Sequence, residues 1–421
     1  MSHPTASSKI GRGPLTVVFF TVFLDLLGFG IIIPIQAFYA EAFGARPAVI
    51  TLIGASYSLM QFVFMPMWGR VSDRVGRRPV ILFSVLISAI GFALFGLADS
   101  LWMLFVARML AGFGNANIGA AQAVIADVTT GENRAKGMGL IGAAFGLGFI
   151  LGPAVGGPLG QISMALPAFV ASGLAVVNLV LAWFFLPETR RVDAPKRRGL
   201  FSRTELVAAL RVRGVPRLLS LSFLIVCGFS LMEQVMGLFI ERVWVPVASD
   251  ATAAQVLAGH KEAALRTTWT MVAVGVTMSV VQGGLIGKLA KKFGEAQLIR
   301  AGCLLMMAGL AVVPLVGATH LFWLMFPTSV LLALGSGVTT PSLTSLLSRS
   351  VDGDHQGGTL GLGQSLSSLG RVVGPAMAGT LFESSIDLPF YVGAGLLLLS
   401  FGIAIGLRRR RAVVIEEAPI S

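Results

Sequence analysis

Long apolar runs separated by short polar breaks make up nearly the whole chain of 421 residues. A run of about 20 apolar residues spans the hydrocarbon core of a bilayer as a helix. Hydrophobic residues form 55% of the sequence and charged residues only 12%, whereas a soluble chain carries roughly 25% charged residues. We therefore predict an all-α integral membrane protein with twelve transmembrane helices. The predicted spans are residues 14–40, 48–69, 79–98, 101–126, 136–160, 165–187, 217–241, 267–288, 297–318, 321–347, 356–381 and 388–407.

Cationic residues are concentrated in every second break and at the two ends of the chain. The chain has 32 Lys and Arg residues against 20 Asp and Glu residues, a formal net charge of +12. The breaks on the other side hold only Arg46, Arg242, Lys261 and Arg266. Because cytoplasmic segments carry an excess of Lys and Arg, we predict a multi-pass protein of the cell (inner) membrane with both termini in the cytoplasm. The same asymmetry argues against a nucleic-acid partner.

The most strongly charged break is residues 69–79, GRVSDRVGRRP, between the second and third spans. We expect a tight cytoplasmic turn whose contacts form as the inner mouth of the bundle closes. Arg77 or Arg78 is expected to pair with Asp127, and Asp73 to cap a helix N-terminus in the opposite half. A solvated surface bridge is the alternative. The predicted gate consists of Gly69, Asp73, Arg74, Gly76, Arg77, Arg78 and Asp127.

Two motifs occur twice, at nearly the same spacing along the chain. Residues 69–76 (GxxxDxxG) recur at 287–294 with Lys in place of Asp, and residues 148–157 (GxxxGPxxxG) recur at 370–379. Such repeats predict two pseudo-symmetric six-helix bundles around a central cavity. The predicted domains are residues 1–187, an N-terminal bundle, and 217–421, a C-terminal bundle with a short cytoplasmic tail. Between them lies a basic cytoplasmic linker, 188–216, in which 203–213 form an amphipathic surface segment.

Charged residues inside the spans are the main candidates for function, because an ionised side chain is costly in hydrocarbon. Asp25 lies roughly 16 Å deep in the first span and Arg108 roughly 12 Å deep in the fourth. We predict that these two residues pair and couple transport to protons, with a static ion pair as the alternative. Glu233 and Arg371 form a second possible pair, for which proton exchange or substrate contact and a static bridge are equally open.

The fourth span has one small, polar face made by Arg108, Gly112, Asn115, Gly119 and Gln122, at spacings of three and four. Such a face is expected to line a cavity. The predicted cavity residues are Phe29, Tyr57, Gln61, Asn115, Gln122 and Gln234. In the fifth span, glycines spaced by four are expected to form a flat, bendable face for close helix packing. Its residues are Gly148, Gly152, Pro153, Gly156 and Gly157.

Together these motifs resemble the major facilitator superfamily, twelve-helix drug:proton antiporter type, nearest the tetracycline-efflux-like and multidrug efflux branches. The resemblance rests on residues 25–30 (DLLGFG) with Pro34, on 69–79, on 108–127 and on 148–157. It implies proton-coupling roles for Asp25 and Arg108. It also implies that 148–157 are the antiporter motif that separates exporters from symporters, and that the protein is a monomer.

The expected function is proton-coupled export of small amphipathic, drug-like compounds from the cytoplasm by alternating access. The alternatives are a sugar or metabolite transporter of the same fold, a non-transporting membrane sensor and a membrane-embedded enzyme. We expect a small-molecule substrate, protons and the lipid bilayer as partners. Nucleotide-binding and nucleophile motifs are missing from the sequence, and no cofactor is expected. His3, His260, His320 and His355 are assigned to tails or loops, so no metal site is predicted.

Overall fold

Helices form nearly all of the chain that the structure, a computed structural model, describes. It describes residues 12–129, 131–189, 212, 214–246, 248, 250–351 and 353–407. Over these residues the helices make twelve spans, labelled α1 to α12. They are α1 (Arg12–Ala42), α2 (Pro47–Val75), α3 (Arg77–Gly96), α4 (Leu101–Gly114, then a 3-10 turn at Asn115–Asn117, then Ile118–Val128), α5 (Gly131–Ile162), α6 (Leu166–Phe185), α7 (Val215–Trp244), α8 (Ala253–Val280, then a π turn at Val281–Leu285, then Ile286–Phe293), α9 (Glu295–Thr319), α10 (a 3-10 turn at Phe322–Leu324, then Met325–Arg349), α11 (Gly353–Ser384) and α12 (Leu388–Ile405).

The spans have the lengths that a bilayer requires. In the described part of the chain, ten helices are long and apolar enough to cross a membrane. The other two, α5 and α11, are each 32 residues long. The prediction of an all-α, twelve-helix membrane protein is therefore confirmed.

The spans form two six-helix halves, α1–α6 and α7–α12, with the same internal packing. Helix α5 packs on α1 in the first half, and α11 packs on α7 in the second. Gly152 of α5 lies against Gly30 of α1, and its repeat Gly374 of α11 lies against Cys227 of α7. Helix α2 packs on α11 and α5 on α8 between the halves. The repeated glycine motif thus places the same close helix approach in both halves.

The charged break between α2 and α3 is mostly helix, and the prediction of a turn over residues 69–79 is wrong. Helix α2 continues to Val75 and α3 begins at Arg77. Only Gly76 interrupts them, with a φ of 120° that glycine adopts at little cost. Gly294 has a φ of 80° between α8 and α9, so the repeat keeps the same single-glycine turn. Charged side chains do not end a helix once it has left the hydrocarbon.

Two further predictions differ from the structure. Helix α8 begins at Ala253, not at residue 267, because Thr252 and Gln255 form a capping box that starts the helix in a polar segment. His260 therefore lies in a helix and is buried, not in a loop. The linker at 190–211, all but residue 212 of the predicted amphipathic segment 203–213, and the tail at 408–421 lie outside the described residues.

The two halves are joined at the end opposite the α2–α3 turn. There the Ala48 amide donates to Glu383 Oε1 at 3.1 Å, and Gln161 Nε2 donates to the Lys261 carbonyl at 2.5 Å. At the end with the α2–α3 turn, Arg77 bonds within the first half, and Arg300 bonds to the α12 carbonyls within the second. The structure therefore describes a state in which the end opposite the charged turn is closed.

Candidate functional site

Asp25 lies buried in α1 and is held by two amide side chains. Asn117 Nδ2 donates to Asp25 Oδ2 at 2.9 Å, and Asn178 Nδ2 donates to Asp25 Oδ1 at 3.0 Å. Asn178 also donates to the Thr21 carbonyl at 3.1 Å, which fixes its amide. Asn117 belongs to the 3-10 turn that interrupts α4. Each oxygen of the carboxyl therefore accepts one hydrogen bond, and the two donors are uncharged amides.

The predicted ion pair between Asp25 and Arg108 is absent from the described structure. Arg108 precedes Asn117 by nine residues, which is roughly 13 Å along a helix axis. The 3-10 turn directs Asn117 toward α1, so the amide takes the position at the carboxyl that the sequence suggested for Arg108. Asp25 lies on α1 and Arg108 lies on α4, and the two side chains contact different groups.

Arg108 is buried against aromatic rings. Its guanidinium carbon lies 4.4 Å from the centroid of the Tyr57 ring and 5.6 Å from that of Phe29. These two rings stack on each other with centroids 4.8 Å apart. Its Nε and Nη1 have no hydrogen-bond partner among the described residues. The cation is therefore stabilised chiefly by ring faces, and its donors remain available to another group.

Polar side chains continue this site along α2 and α4. Gln61 Nε2 donates to Tyr57 Oη at 3.2 Å and to the Asn115 carbonyl at 3.3 Å. Asn115 is buried and its Nδ2 has no partner in the described structure. The close approach of α4 to α2 depends on Gly112, where a Cβ would meet the Tyr57 backbone. Four predicted cavity residues thus come together with Arg108; they are Phe29, Tyr57, Gln61 and Asn115.

The other two predicted cavity residues lie elsewhere. Gln122 is exposed in the last segment of α4. Gln234 of α7 lies at the boundary between the halves, where its side chain fills the space beside Gly54 and approaches Gln36. Gln234 therefore contacts α2 of the opposite half. It lies apart from the ring cluster, the group formed by Phe29, Tyr57 and Arg108.

Glu233 and Arg371 interact across the second half without direct contact. The two charges are close enough to influence each other, but no nitrogen–oxygen distance between them falls within 4.0 Å. Arg371 Nη2 donates to Ser368 Oγ at 3.3 Å. Tyr57 lies within electrostatic range of both Arg108 and Arg371. One arginine from each half thus lies within electrostatic range of the same tyrosine.

The glycine motif of α5 has two packing faces. Gly148 and Gly152 lie against Leu26 and Gly30 of α1, next to the turn that carries Asp25. Gly156 lies against Ile31 of α1, whereas Gly157 lies against Thr268 of α8 in the other half. The motif therefore joins the Asp25 helix to the interface between the halves.

The predicted gate residues cluster around Arg77, and all of their described contacts lie within the first half. Arg77 Nη1 contacts Asp73 Oδ1 at 2.5 Å, and Arg77 Nε contacts Asp127 Oδ2 at 3.2 Å. One of the two predicted pairings with Asp127 is thus present. In this state Asp73 contacts Arg77 one helical turn away. Its predicted capping of the opposite half concerns the state in which this end is closed, and stays a prediction. Arg78 instead lies over the Trp183 ring and donates to the Trp183 carbonyl.

Sequence reasoning missed three residues of these sites. Asn117 and Asn178 hold Asp25, and their only signal is an amide inside an apolar span. Glu188 accepts from the Arg77 and Arg78 amides at 2.9 and 3.2 Å, and so caps the positive N-terminus of α3. Its signal is a carboxylate directly after the sixth span, at the start of a basic segment.

Comparison with known proteins agrees with this architecture. The Major Facilitator Superfamily model matches residues 18–375 and, in a second match, residues 264–419. The chain belongs to the Major Facilitator Superfamily. Membership makes it a membrane transporter and not an enzyme, as predicted. It also makes the chain a multi-pass membrane protein.

Relatives of this superfamily member include named resistance proteins. It is 34% identical over 404 residues to "Tetracycline resistance protein, class C" of Escherichia coli, covering 91% of this chain and 94% of the relative. It is 30% identical over 398 residues to "Multidrug resistance protein 2" of Bacillus subtilis (strain 168), covering 93% and 94%. The predicted resemblance to the drug antiporter type is thereby confirmed.

Solved structures share the fold. The human organic anion transporter MFSD10 superposes with a TM-score of 0.69 at 23% identity, covering 93% of this chain and 99% of that one. A bacterial homologue of the human lysosomal transporter Spinster superposes with a TM-score of 0.69 at 15% identity, covering 95% and 97%. These similarities show that the chain has the same fold as these two proteins.

Proposed function

We propose that the chain exports small amphipathic, drug-like compounds from the cytoplasm in exchange for protons, by alternating access. Two groups of relatives support this, one named for tetracycline resistance and one for multidrug resistance. The observation that carries the proposal is Asp25, a buried carboxyl held only by neutral amides. A carboxyl inside a membrane protein that lacks a fixed cation is suited to gain and lose a proton.

Asp25 is able to exist in both protonation states. The ionised carboxylate accepts hydrogen bonds from Asn117 and Asn178, and these bonds favour the charged form. Burial favours the neutral form, because a charge is costly in a medium of low dielectric constant. These opposed effects keep the energies of the two forms closer together than an arginine partner would. A change in water access or in a nearby charge then decides which form is present.

The ring cluster beside Arg108 supplies the proposed substrate contacts. Stacked Phe29 and Tyr57 offer aromatic surface, and Gln61 and Asn115 offer amide groups. The guanidinium donors of Arg108 are suited to a carbonyl or an anionic oxygen of the substrate. We also place two residues farther from the ring cluster on the proposed substrate path. Gln122 lies on α4, and Gln234 lies at the boundary between the halves. Mostly apolar surface with a few polar groups is typical of small-molecule sites.

In the proposed cycle, the substrate enters from the cytoplasm and displaces a proton from Asp25 or Glu233. The halves then rock, the cytoplasmic mouth closes, and the outer end opens. Protonation from outside releases the substrate, and the protonated carrier returns. The equilibrium between the two states shifts because each ligand binds one state better than the other.

The orientation follows from charge. The α2–α3 turn, with Asp73, Arg74 and Arg77, and both chain termini are assigned to the cytoplasm, because they carry the excess of Lys and Arg. The described state is then closed toward the outside. Gly76 forms the turn between α2 and α3, and the Gly69 carbonyl accepts from Ser72 Oγ at 2.7 Å one turn earlier in the gate. The contacts of Arg77 with Asp73 and Asp127 join α2, α3 and α4 at this end of the first half.

The glycine faces of α5 and α11 provide the surface on which the halves rock. Gly157 and Gly379 face the opposite half, while Pro153 and Pro375 interrupt the helix hydrogen bonding behind them. Flat faces of small residues slide with little steric cost. We propose that the unit of transport is the monomer, with bundles at 1–187 and 217–421 and a linker at 188–216.

Proton movement during export is the direct test. The purified full chain is reconstituted into proteoliposomes that contain a pH-sensitive dye, and tetracycline is supplied on one side. We expect tetracycline and protons to move in opposite directions, and an imposed pH gradient to drive tetracycline against its concentration gradient. Movement in the same direction would indicate a symporter, and binding of tetracycline and other drugs without flux would indicate a sensor; either would contradict the proposal.

A further inference from the structure

Three side chains converge at the closed end, away from Asp25 and the ring cluster. Glu41 ends α1 of the first half, Glu241 lies in the last turn of α7, and His260 lies in the second turn of α8. Ligand atoms of the three lie within 4.8 Å of one another. The cluster joins the two halves, and the proposed export cycle assigns it no role.

Glu41 and Glu241 each have one carboxylate oxygen in contact with Arg242 and the other facing His260. Arg242 Nη2 contacts Glu41 Oε1 at 2.6 Å, and Arg242 Nη1 contacts Glu241 Oε2 at 3.3 Å. The other oxygens face the imidazole: His260 Nε2 lies 3.3 Å from Glu241 Oε1 and 3.8 Å from Glu41 Oε2. Arg242 thus orients both carboxylates from outside, as hydrogen-bonded outer groups do around metal ligands.

The inner atoms are buried and incompletely satisfied. The side chains of Glu41 and His260 are each 9% exposed, and that of Glu241 is 2% exposed. Glu41 Oε2 is buried and has no hydrogen-bond partner in the described structure, although it faces His260 Nε2. With both glutamates ionised and His260 neutral, the cluster carries one more negative charge than Arg242 offsets. A buried charge of this kind is costly unless a proton or a cation pairs with it.

We propose that Glu41 Oε2, Glu241 Oε1 and His260 Nε2 bind a divalent transition-metal ion of the zinc type. One imidazole nitrogen and two carboxylate oxygens suit zinc, manganese or cobalt, whereas magnesium and calcium prefer oxygen ligands alone. Zinc bonds of about 2.0–2.1 Å in tetrahedral geometry place ligand atoms about 3.3 Å apart. The two carboxylate oxygens lie 3.3 and 3.8 Å from His260 Nε2, and all three ligand atoms lie within 4.8 Å of one another, so side-chain shifts bring them to this spacing. Three protein ligands leave the fourth position of a tetrahedral zinc site to a water molecule.

The bound ion holds the closed end together. Opening this end separates Glu41, on the first half, from Glu241 and His260, on the second. The ion therefore binds the described closed state better than an open one, and it shifts the equilibrium toward closure. Zinc supplied on this side of the membrane is expected to slow transport, and a chelator to restore it.

Binding is measured without any transported substrate. Zn²⁺ is titrated into the detergent-purified full chain by calorimetry, in parallel with Glu41→Gln, Glu241→Gln and His260→Gln. We expect one site per chain. Since changes to outer groups alone cost about 10–100-fold in metal affinity, loss of a ligand should cost at least about tenfold. His320→Gln and Glu262→Gln, which alter exposed residues, should bind as the unaltered chain does, and Mg²⁺ should not compete.

A second measurement needs no variant. Co²⁺ added to the unaltered chain should show the visible absorption of a low-symmetry nitrogen–oxygen site, and Zn²⁺ should abolish it. Spectra of fully hydrated Co²⁺ would overturn the proposal. So would Zn²⁺ binding that persists at full affinity in folded His260→Gln and Glu241→Gln chains.

Discussion

Gly157 and Gly379 occupy the same position in the two halves, and each contacts a helix of the opposite half. Gly157 of α5 lies against Thr268 of α8, and Gly379 of α11 lies against Thr51 of α2. The preceding glycines of each motif, such as Gly152 and Gly374, pack within their own half. One repeated motif therefore builds both the inside of each bundle and the surface between the bundles.

Replacing Gly157 with Leu should open the closed end. No side chain fits there, because even a Cβ would meet the side chain of Thr268, and overpacking of this kind typically costs about 1–3 kcal/mol. The strain is relieved when the halves separate, so we expect the variant to favour the other state and to lose export. Faster hydrogen exchange at the outer ends of α5 and α8 would report the opening.

The control for this substitution is Gly173→Leu in α6, where nothing lies within 4 Å of an added Cβ. It adds the same side chain to the same half without touching the second half. Normal export by Gly157→Leu, or equal loss in Gly173→Leu, would show that the contact with Thr268 does not govern the cycle.

Arg77→Lys should loosen the gate while conserving its charge. Arg77 contacts Asp73, Asp127 and Ser72 Oγ through a planar fork, which one ammonium group does not reproduce. Asp73 is 38% exposed, so solvent screening limits the effect to about 1–2 kcal/mol. We expect a lower melting temperature of the purified protein. Arg70→Lys, at an exposed position, should melt unchanged, and equal melting of the two variants would refute the assignment.

Glu188→Gln should weaken the start of α3. The carboxylate accepts from two backbone amides at the positive end of the helix, and glutamine has one acceptor oxygen and no charge. We expect a loss of about 1 kcal/mol, which makes amide exchange in the first turn of α3 about fivefold faster. Asp387→Asn is the control, because that N-cap side chain of α12 makes no cap bond. Unchanged exchange in Glu188→Gln would remove this role.

Glu233 and Arg371 are suited to a double-mutant cycle. The two charges interact electrostatically, so Glu233→Gln and Arg371→Gln should each destabilise the protein. The double variant should recover part of the loss, with a coupling energy of about 0.5–3 kcal/mol. We predict that it recovers stability but not pH-dependent export. Recovery of both would identify a static bridge instead.

The spans and the positions of the buried charges follow from the sequence because both depend on local composition. Asp25, Arg108 and Glu233 stand out as the rare charges within long apolar runs, and the glycine repeat reveals the two halves. The partners of Asp25 do not follow, because an isolated amide such as Asn178 gives no indication of which acid it contacts. A 3-10 turn of three residues, Asn115–Asn117, decides that Asn117 and not Arg108 reaches the carboxyl.

Helix ends outside the hydrocarbon were also difficult to predict from apolar content. Helix α2 runs through a charged segment to Val75, and α8 begins at Ala253 in a polar one. The capping box of Thr252 and Gln255 is visible in the sequence but not in hydropathy. A hydropathy boundary at residue 267 places His260 in a loop, so it gives no indication of the cluster with Glu41 and Glu241.

Asp25 is predicted to carry the exchanged proton, and a comparison of two transport modes in proteoliposomes tests this role. Without a pH gradient, tetracycline exchange requires the halves to rock but needs no net proton transfer. With a pH gradient, accumulation of tetracycline requires both the rocking of the halves and net proton transfer. We predict that Asp25→Asn keeps exchange and loses gradient-driven accumulation, whereas Asp99→Asn, at an exposed acid, keeps both. Accumulation by Asp25→Asn with unaltered pH dependence would contradict the account.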